Sequence, residues 1–286
     1  MSLITVARME HYLHTRISQT LWEALNAQAA SSGLSVGHLV QQALADALEI
    51  EHHSIFQVST SSALVQGVYQ GCVCVDDVLR HGDFGLGTFD SLDGEMIVLD
   101  GKCFQARSDG TVMLADGDEL TPFAVITKFT ADETDHLARV DSWSDLTQQL
   151  DRHRHSDNSF VGIRITGTLD RLELRAACKS ESGIALVDAT AHQSEFIREG
   201  VSGTLVGFWS PPFSGAVSIA GYHLHFISDD RELGGHVLGL VASDLKVEIH
   251  RINDLHLAIP ETKEFLSAEL HADNDKAISI AESSRE

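Results

Sequence analysis

Two regimes of hydrophobic patterning divide this chain, a helical one over residues 1–50 and a strand-like one from Phe56 onward. In the first, Leu21, Trp22 and Leu25 recur at helical spacing and predict a helix from about Gln19 to Ala30, stopped at Ser31-Ser32-Gly33. Ser35 is a good N-cap for a second helix carrying Leu39, Val40, Ala43, Leu44 and Leu48. A short extended piece, His11 to Ile17, precedes both. Beyond Phe56, apolar and β-branched runs predict strands at Gln57–Thr60, Val73–Val75, Glu95–Asp100, Val112–Leu114, Phe123–Phe129 and Phe160–Thr166. Short helices are expected at Ser61–Tyr69, Val78–Arg80 and Ser142–Asp151. Glycines 82, 85 and 87 predict a tight, irregular loop, outside the strand-turn-helix context of a dinucleotide fingerprint. The polar stretch Gln149–Ser159 reads either as a boundary between two lobes or as a long loop. The acidic tail from Pro260 to Glu286 carries a helical pattern only at Phe265 and Leu266.

Composition narrows the class. A chain of 286 residues makes one large domain or two ordinary ones. Hydrophobic residues are 43% but aromatics only 6%, so aliphatic side chains must fill most of the core. The formal charge of −22, from 42 acidic against 20 basic residues, repels nucleic acid and anionic membranes. It would also repel an anionic substrate, so a carboxylate ligand needs a local cation or a metal. Cys72, Cys74, Cys103 and Cys178 are too few and scattered for a disulfide framework. Gly71-Cys72-Val73-Cys74-Val75 reads as a buried strand rather than a metal site. No leader pattern opens the chain, and no apolar run approaches the roughly 20 residues of a membrane helix. A cytoplasmic protein is the expectation.

Candidate chemistry concentrates in Gly221-Tyr222-His223-Leu224-His225-Phe226-Ile227-Ser228 and the Gly234-Gly235-His236 that follows a polar turn. In a strand of period two, His223 and His225 share a face. A turn at Asp229–Arg231 would bring His236, opening a second strand to Ala242, towards the same point. Three imidazoles with an open remaining position make a catalytic rather than a closed structural metal site. The bland reading is a surface hairpin with idle histidines.

This stretch resembles the metal-binding signature of α-acetolactate decarboxylases. His81-Gly82-Asp83-Phe84-Gly85-Leu86-Gly87-Thr88-Phe89-Asp90, with Leu92-Asp93-Gly94-Glu95-Met96-Ile97-Val98-Leu99-Asp100-Gly101, is similar to that family's N-terminal signature. Thr121–Val125 and Gly203–Trp209 match in the same order, and the resemblance covers residues 53–286. It implies an α/β (α+β) catalytic domain of two mixed β-sheet lobes, approximately 53–155 and 156–286, with the metal in the cleft. It implies decarboxylation of (S)-2-acetolactate to (R)-acetoin and CO2, on Zn2+ or another divalent transition metal held by His223, His225 and His236. Arg175 matches the arginine the family uses near its metal, with Arg164 and Arg171 as nearby competitors. Glu95 matches its proton-delivering acid, and Thr88 a residue lining its pocket. Glu282 is the candidate for a C-terminal glutamate that reaches the metal, with Glu286 and Glu269 as alternatives. One departure stands out: where the family commonly shows a Gln-Glu-Lys-Pro-Tyr-like segment, this chain reads Lys179-Ser180-Glu181-Ser182-Gly183-Ile184-Ala185. A metal hydrolase or aldolase-like enzyme on the same scaffold is a further, blander reading.

Residues 1–50 lie outside that resemblance. Strand, helix, glycine turn, helix is the order of a ribbon-helix-helix module, and Leu34-Ser35-Val36 resembles the start of its second helix. Only Arg8 and Arg16 stand there against Glu10, Glu23, Asp46 and Glu49, whereas phosphate binding needs net positive charge. Charge therefore favours a homodimerising appendage over a DNA-binding head. The alternative is an acetolactate-sensing regulator, with residues 1–50 on DNA and the remainder as sensor.

Overall fold

The computed structural model describes residues 13–32, 35–48, 53–191 and 193–270. The chain divides into two compact units, Met1–His52 and His53–Glu286. In the first unit the helices run over Gln19–Ser32 and Val36–Ala47, where the apolar spacing places them. The extended piece expected at His11–Ile17 is not a strand over its described part, residues 13–17, and its first two residues lie outside the described ones. A lone strand in one chain has no ladder to join. Leu39 is buried, whereas Leu21, Trp22, Leu44 and Leu48 are exposed.

The second unit is α+β and mostly strand, built on two sheets. The first sheet orders its seven strands 254–258, 54–58, 123–127, 84–88, 95–99, 102–106 and 112–114. It is mixed, because Ser54–Val58 runs parallel to Asp254–Ala258 and antiparallel to Phe123–Thr127. The second sheet orders its five strands 160–176, 194–210, 221–228, 234–252 and 133–140, all antiparallel. The first and fourth of these also pair with each other, so the sheet curls closed on itself. The expectation of two mixed sheets therefore holds for one of them.

Two further expectations are corrected. Glycines 85 and 87 do not form a loop; Phe84–Thr88 is a fully buried strand at the centre of the first sheet. A Cβ at Gly85 would lie 2.4 Å from the Val125 carbonyl oxygen, and one at Gly87 2.3 Å from that of Phe123. Glycine there serves close strand approach rather than a turn. The lobes also do not divide near residue 155. Glu133–Val140 precedes that point and joins the second sheet, while Asp254–Ala258 returns to the first. The polar stretch 149–159 marks a surface connection containing the turn Asp151–His153, and polarity reports exposure, not sheet membership.

Alternation along the strands separates two cores. Leu224 and Phe226 join Ile163, Ile165, Leu205 and Leu240 inside the curled second sheet, closed by Leu146 and Leu150 of the Trp143–Leu150 helix. Ser142 caps that helix by accepting a hydrogen bond from the Asp145 amide. On the opposite face, Val206, Phe208 and Ile227 pack against Phe84, Leu86 and Ile97 of the first sheet. At the start of the unit, His53 Nδ1 donates to the Arg251 carbonyl (2.6 Å) and His250 Nδ1 to that of Thr130 (2.8 Å). Both rings approach Asp132 Oδ2, at 3.8 and 3.6 Å, in a knot that ties His53 to the second sheet.

Candidate metal centre

Strand register assembles the site. His225 stands directly opposite His236 across the pairing of Gly221–Ser228 with Gly234–Ile252. His236 in turn stands opposite Arg175 across the pairing that closes the sheet. Directly opposed residues project to one face, and His223 shares that face with His225 at a spacing of two. His236 is thus flanked by His225 on one side and Arg175 on the other. Gly235 permits the closure, since its φ is +155° and a Cβ there would lie 2.6 Å from the Arg175 carbonyl oxygen.

The three imidazoles are buried, and each offers a ring nitrogen within 4.8 Å of those of the other two. Ring centroids are 4.9 Å apart for His223–His225, 5.0 Å for His223–His236 and 5.4 Å for His225–His236. His225 Nδ1 donates to the Met96 carbonyl at 2.9 Å, which leaves its Nε2 as a lone pair, 3.1 Å from His223 Nε2. Burial pushes the His225 pKa down to about 3, the Met96 hydrogen bond opposing and the Arg175 charge adding to it. Burial, then His225 and Arg175, hold His223 well below the ordinary imidazole value. Neutral imidazoles with converging nitrogens are the state a divalent metal requires, and the donor set fits zinc.

Around them stand the other residues singled out by the sequence. Glu95 is buried, with Oε2 3.6 Å from His225 Nε2 and Oε1 accepting from the Ala177 amide at 3.0 Å. Burial raises its pKa, against the opposing pull of the Arg175 charge and the Ala177 amide. Arg175 is 4% exposed, and its Nη1 donates to Gln193 Oε1 at 2.8 Å. Arg164 is instead engaged with Asp100, and Arg171 with Glu173. Thr88 pairs in register with Glu95, and its hydroxyl donates to the Gly94 carbonyl at 2.8 Å, so it closes the turn while the residue also lines the cavity.

Thr88, Glu95, Arg175, Thr190 and His223 form the polar side of one cavity. Its other side is apolar, with Leu64, Leu92, Leu186 and Ile219. Glu282 and Glu286 lie outside the described residues, and Glu269 is exposed to solvent. Sequence reasoning did not single out Leu64, Leu186, Thr190, Gln193 or Ile219. Leu64 lies in a helix read only as scaffold, and Leu186 and Thr190 in a short helix just past the departed segment.

The family model for alpha-acetolactate decarboxylase matches residues 55–272. An alpha-acetolactate decarboxylase of Lactococcus lactis subsp. lactis is 38% identical over 230 residues, 80% of this chain and 98% of that one. One from Methanosarcina mazei is 41% identical over 217 residues, covering 76% of this chain and 75% of its own. The crystal structure of the alpha-acetolactate decarboxylase from Bacillus subtilis strain 168 superposes with a TM-score of 0.78 at 36% identity, over 81% of this chain and all of that one.

Proposed function

The chain belongs to the alpha-acetolactate decarboxylase family and decarboxylates acetolactate, and on that premise we propose that it does so on a metal held by His223, His225 and His236. The observation that carries this reading is the convergence of three buried imidazoles, one of which lines a cavity together with Arg175 and Glu95. Imidazole donors favour Zn2+ among the divalent transition metals. Such an ion supplies a Lewis acid for the negative charge that develops on the substrate's ketone oxygen as CO2 departs.

The chain's own residues do the rest. Arg175, a cation buried in an otherwise acidic protein, grips the substrate carboxylate and aims it for departure. Leu64, Leu92, Leu186 and Ile219 receive the methyl groups and exclude water from the carbon that becomes nucleophilic. The C–C bond breaks, its electron pair passes to the ketone oxygen, and one proton must then reach carbon. Glu95 delivers it: burial keeps the carboxyl protonated to higher pH than usual, and the Ala177 amide fixes its direction. Delivery from one side only gives a single hand of acetoin, (R) from the (S) substrate. Thr88 orients the substrate through its hydroxyl oxygen. Glu282 completes the proposed set from the tail, on family resemblance alone.

The appendage is proposed to join two copies. Its exposed Leu21, Trp22, Leu44 and Leu48 suit an apolar contact, and its four acids against two arginines oppose phosphate binding. Sedimentation at micromolar concentration is expected to give twice the 31.1 kDa chain mass; a single-chain mass would end that reading. No helix among the described residues is long and apolar enough to cross a membrane, and four cysteines that form no disulfide with one another suit the reducing cytoplasm.

The direct test is acetoin formation from racemic acetolactate by the protein as isolated, after chelation and after zinc is restored. Turnover is expected to disappear on chelation and return with zinc. Undiminished turnover by fully chelated protein would sink the metal-dependent reading.

A further inference from the structure

Three leucines on the apolar side of the cavity come from separate parts of the chain, and one segment ties them together. Leu64 sits in the Ser61–Val65 helix, Leu92 in the turn Asp90–Leu92 and Leu186 at the start of the Leu186–Thr190 helix. The segment between Ala177 and Leu186 is strapped to the first two. Ser180 N–H donates to the Ser91 carbonyl at 2.7 Å, immediately before Leu92. Gly183 N–H donates to the Gly67 carbonyl at 2.8 Å, and the Gly67 amide is itself held by the Leu64 carbonyl at 3.0 Å. Three residues after Gly183 the same segment delivers Leu186.

Both anchor points are shaped for this contact. Gly67 has φ +80°, and a Cβ there would lie 2.6 Å from the Ile184 carbonyl oxygen, so glycine lets the strap lie against the end of the helix. Ser91 and Leu92 take φ of +60° and +55°, a conformation that a bulky residue keeps only where its surroundings enforce it. The Ser91 amide is held by the Tyr69 carbonyl at 2.9 Å and the Ser91 carbonyl by Ser180, which pins the turn on both sides of that residue. Residues 181–185 are exposed, whereas Leu64, Leu92 and Leu186 are buried. The strap therefore acts on the wall through backbone hydrogen bonds, from outside the cavity. It is also the segment whose sequence departs from the family pattern.

Resting on the reading of this cavity as the substrate site, we propose that residues 180–186 are the specificity-determining strap of the enzyme. By fixing the three leucines relative to one another, they set the size of the alkyl groups accepted on a 2-hydroxy-3-oxo acid. A hydrophobic pocket discriminates one methylene by about 10–200-fold. A wall free to shift yields to the larger group and loses part of that discrimination.

The test measures kcat/KM of the metal-loaded full chain for acetolactate and for the two homologues in which ethyl replaces one or the other methyl group. Gly183→Pro removes the N–H that reaches Gly67 and cannot adopt the φ of +90°, yet alters no residue of the cavity. It is expected to raise the homologue-to-acetolactate ratio about threefold or more for at least one homologue, at unchanged metal content. A merely structural role predicts a common loss on all three substrates, and unchanged ratios overturn the inference. Should that variant not fold, Gly183→Ala decides on the same ratio. A Cβ there meets no neighbour within 4 Å, so it acts only through the strained backbone, and a shift of about twofold or more is expected. Leu186→Val separates the two levels of argument by removing one methylene from the wall itself, with a rise of about tenfold expected. If its ratios stay at the wild-type values, the alkyl groups do not lie against this wall, and the site reading falls together with the inference. If Leu186→Val shifts them while the Gly183 variant does not, only the strap falls.

Discussion

His223→Ala is expected to yield a folded protein without stoichiometric metal and with acetoin production reduced by roughly three orders of magnitude. Lewis-acid stabilisation contributes several kcal/mol to such a transition state, and each ~1.4 kcal/mol lost is about tenfold in rate. The fold should survive, because the two large apolar cores draw on many strands besides the one that carries His223. His223 also borders the cavity, so truncating it opens space towards solvent rather than a sealed void. Metal analysis of the purified variant alongside acetoin assay checks both halves. Full turnover by metal-free His223→Ala would falsify the mechanism, and lost turnover with metal still bound would move His223 from ligand to substrate contact.

Glu95→Gln is expected to cost about 10²–10⁴ in kcat while retaining metal, the range for loss of a general acid. The amide oxygen can still accept from the Ala177 amide, so the change removes the proton and little else. Acetoin formed by the variant should lose optical purity, since the proton would then come from water. The pH dependence follows from the direction of the shift. Burial raises the Glu95 pKa, so the reactive protonated form persists above the usual carboxylate range and disappears as pH rises through that raised value. In the parent enzyme kcat should fall along that limb, and in Glu95→Gln the limb should vanish. An unchanged rate with optically pure product would assign proton delivery to another group.

The sequence made the chemistry more legible than the architecture. His223 and His225 were readable because a strand's period is two, and His236 because a turn brings a strand back beside its predecessor. Arg175 was harder, since its place beside His236 depends on a pairing between strands sixty residues apart, and no local pattern reports that register. It was reached through the family resemblance. Gln193 was invisible for the same reason: an isolated glutamine before a strand carries no periodic signal. Glycines 85 and 87 misled because glycine marks both turns and close backbone approach, and only the neighbouring Val125 and Phe123 carbonyls decide between them. The lobe boundary failed because Asp254–Ala258 crosses back to lie beside Ser54–Val58, a long-range choice that composition does not encode.

The contact between His225 and the Met96 carbonyl joins residues 129 apart, and that between Ala177 and Glu95 joins residues 82 apart. Such long-range closure must precede any convergence of the ligands, so the unfolded chain has no preformed site to offer an ion. A zinc finger differs, its ligands lying close in sequence and the ion driving the folding. A metal at the proposed centre would therefore meet ligands that only the folded chain brings together. Its identity would then follow the ions available to the folded protein, within what three imidazoles accept, and exchanging them should change the catalyst without changing the fold.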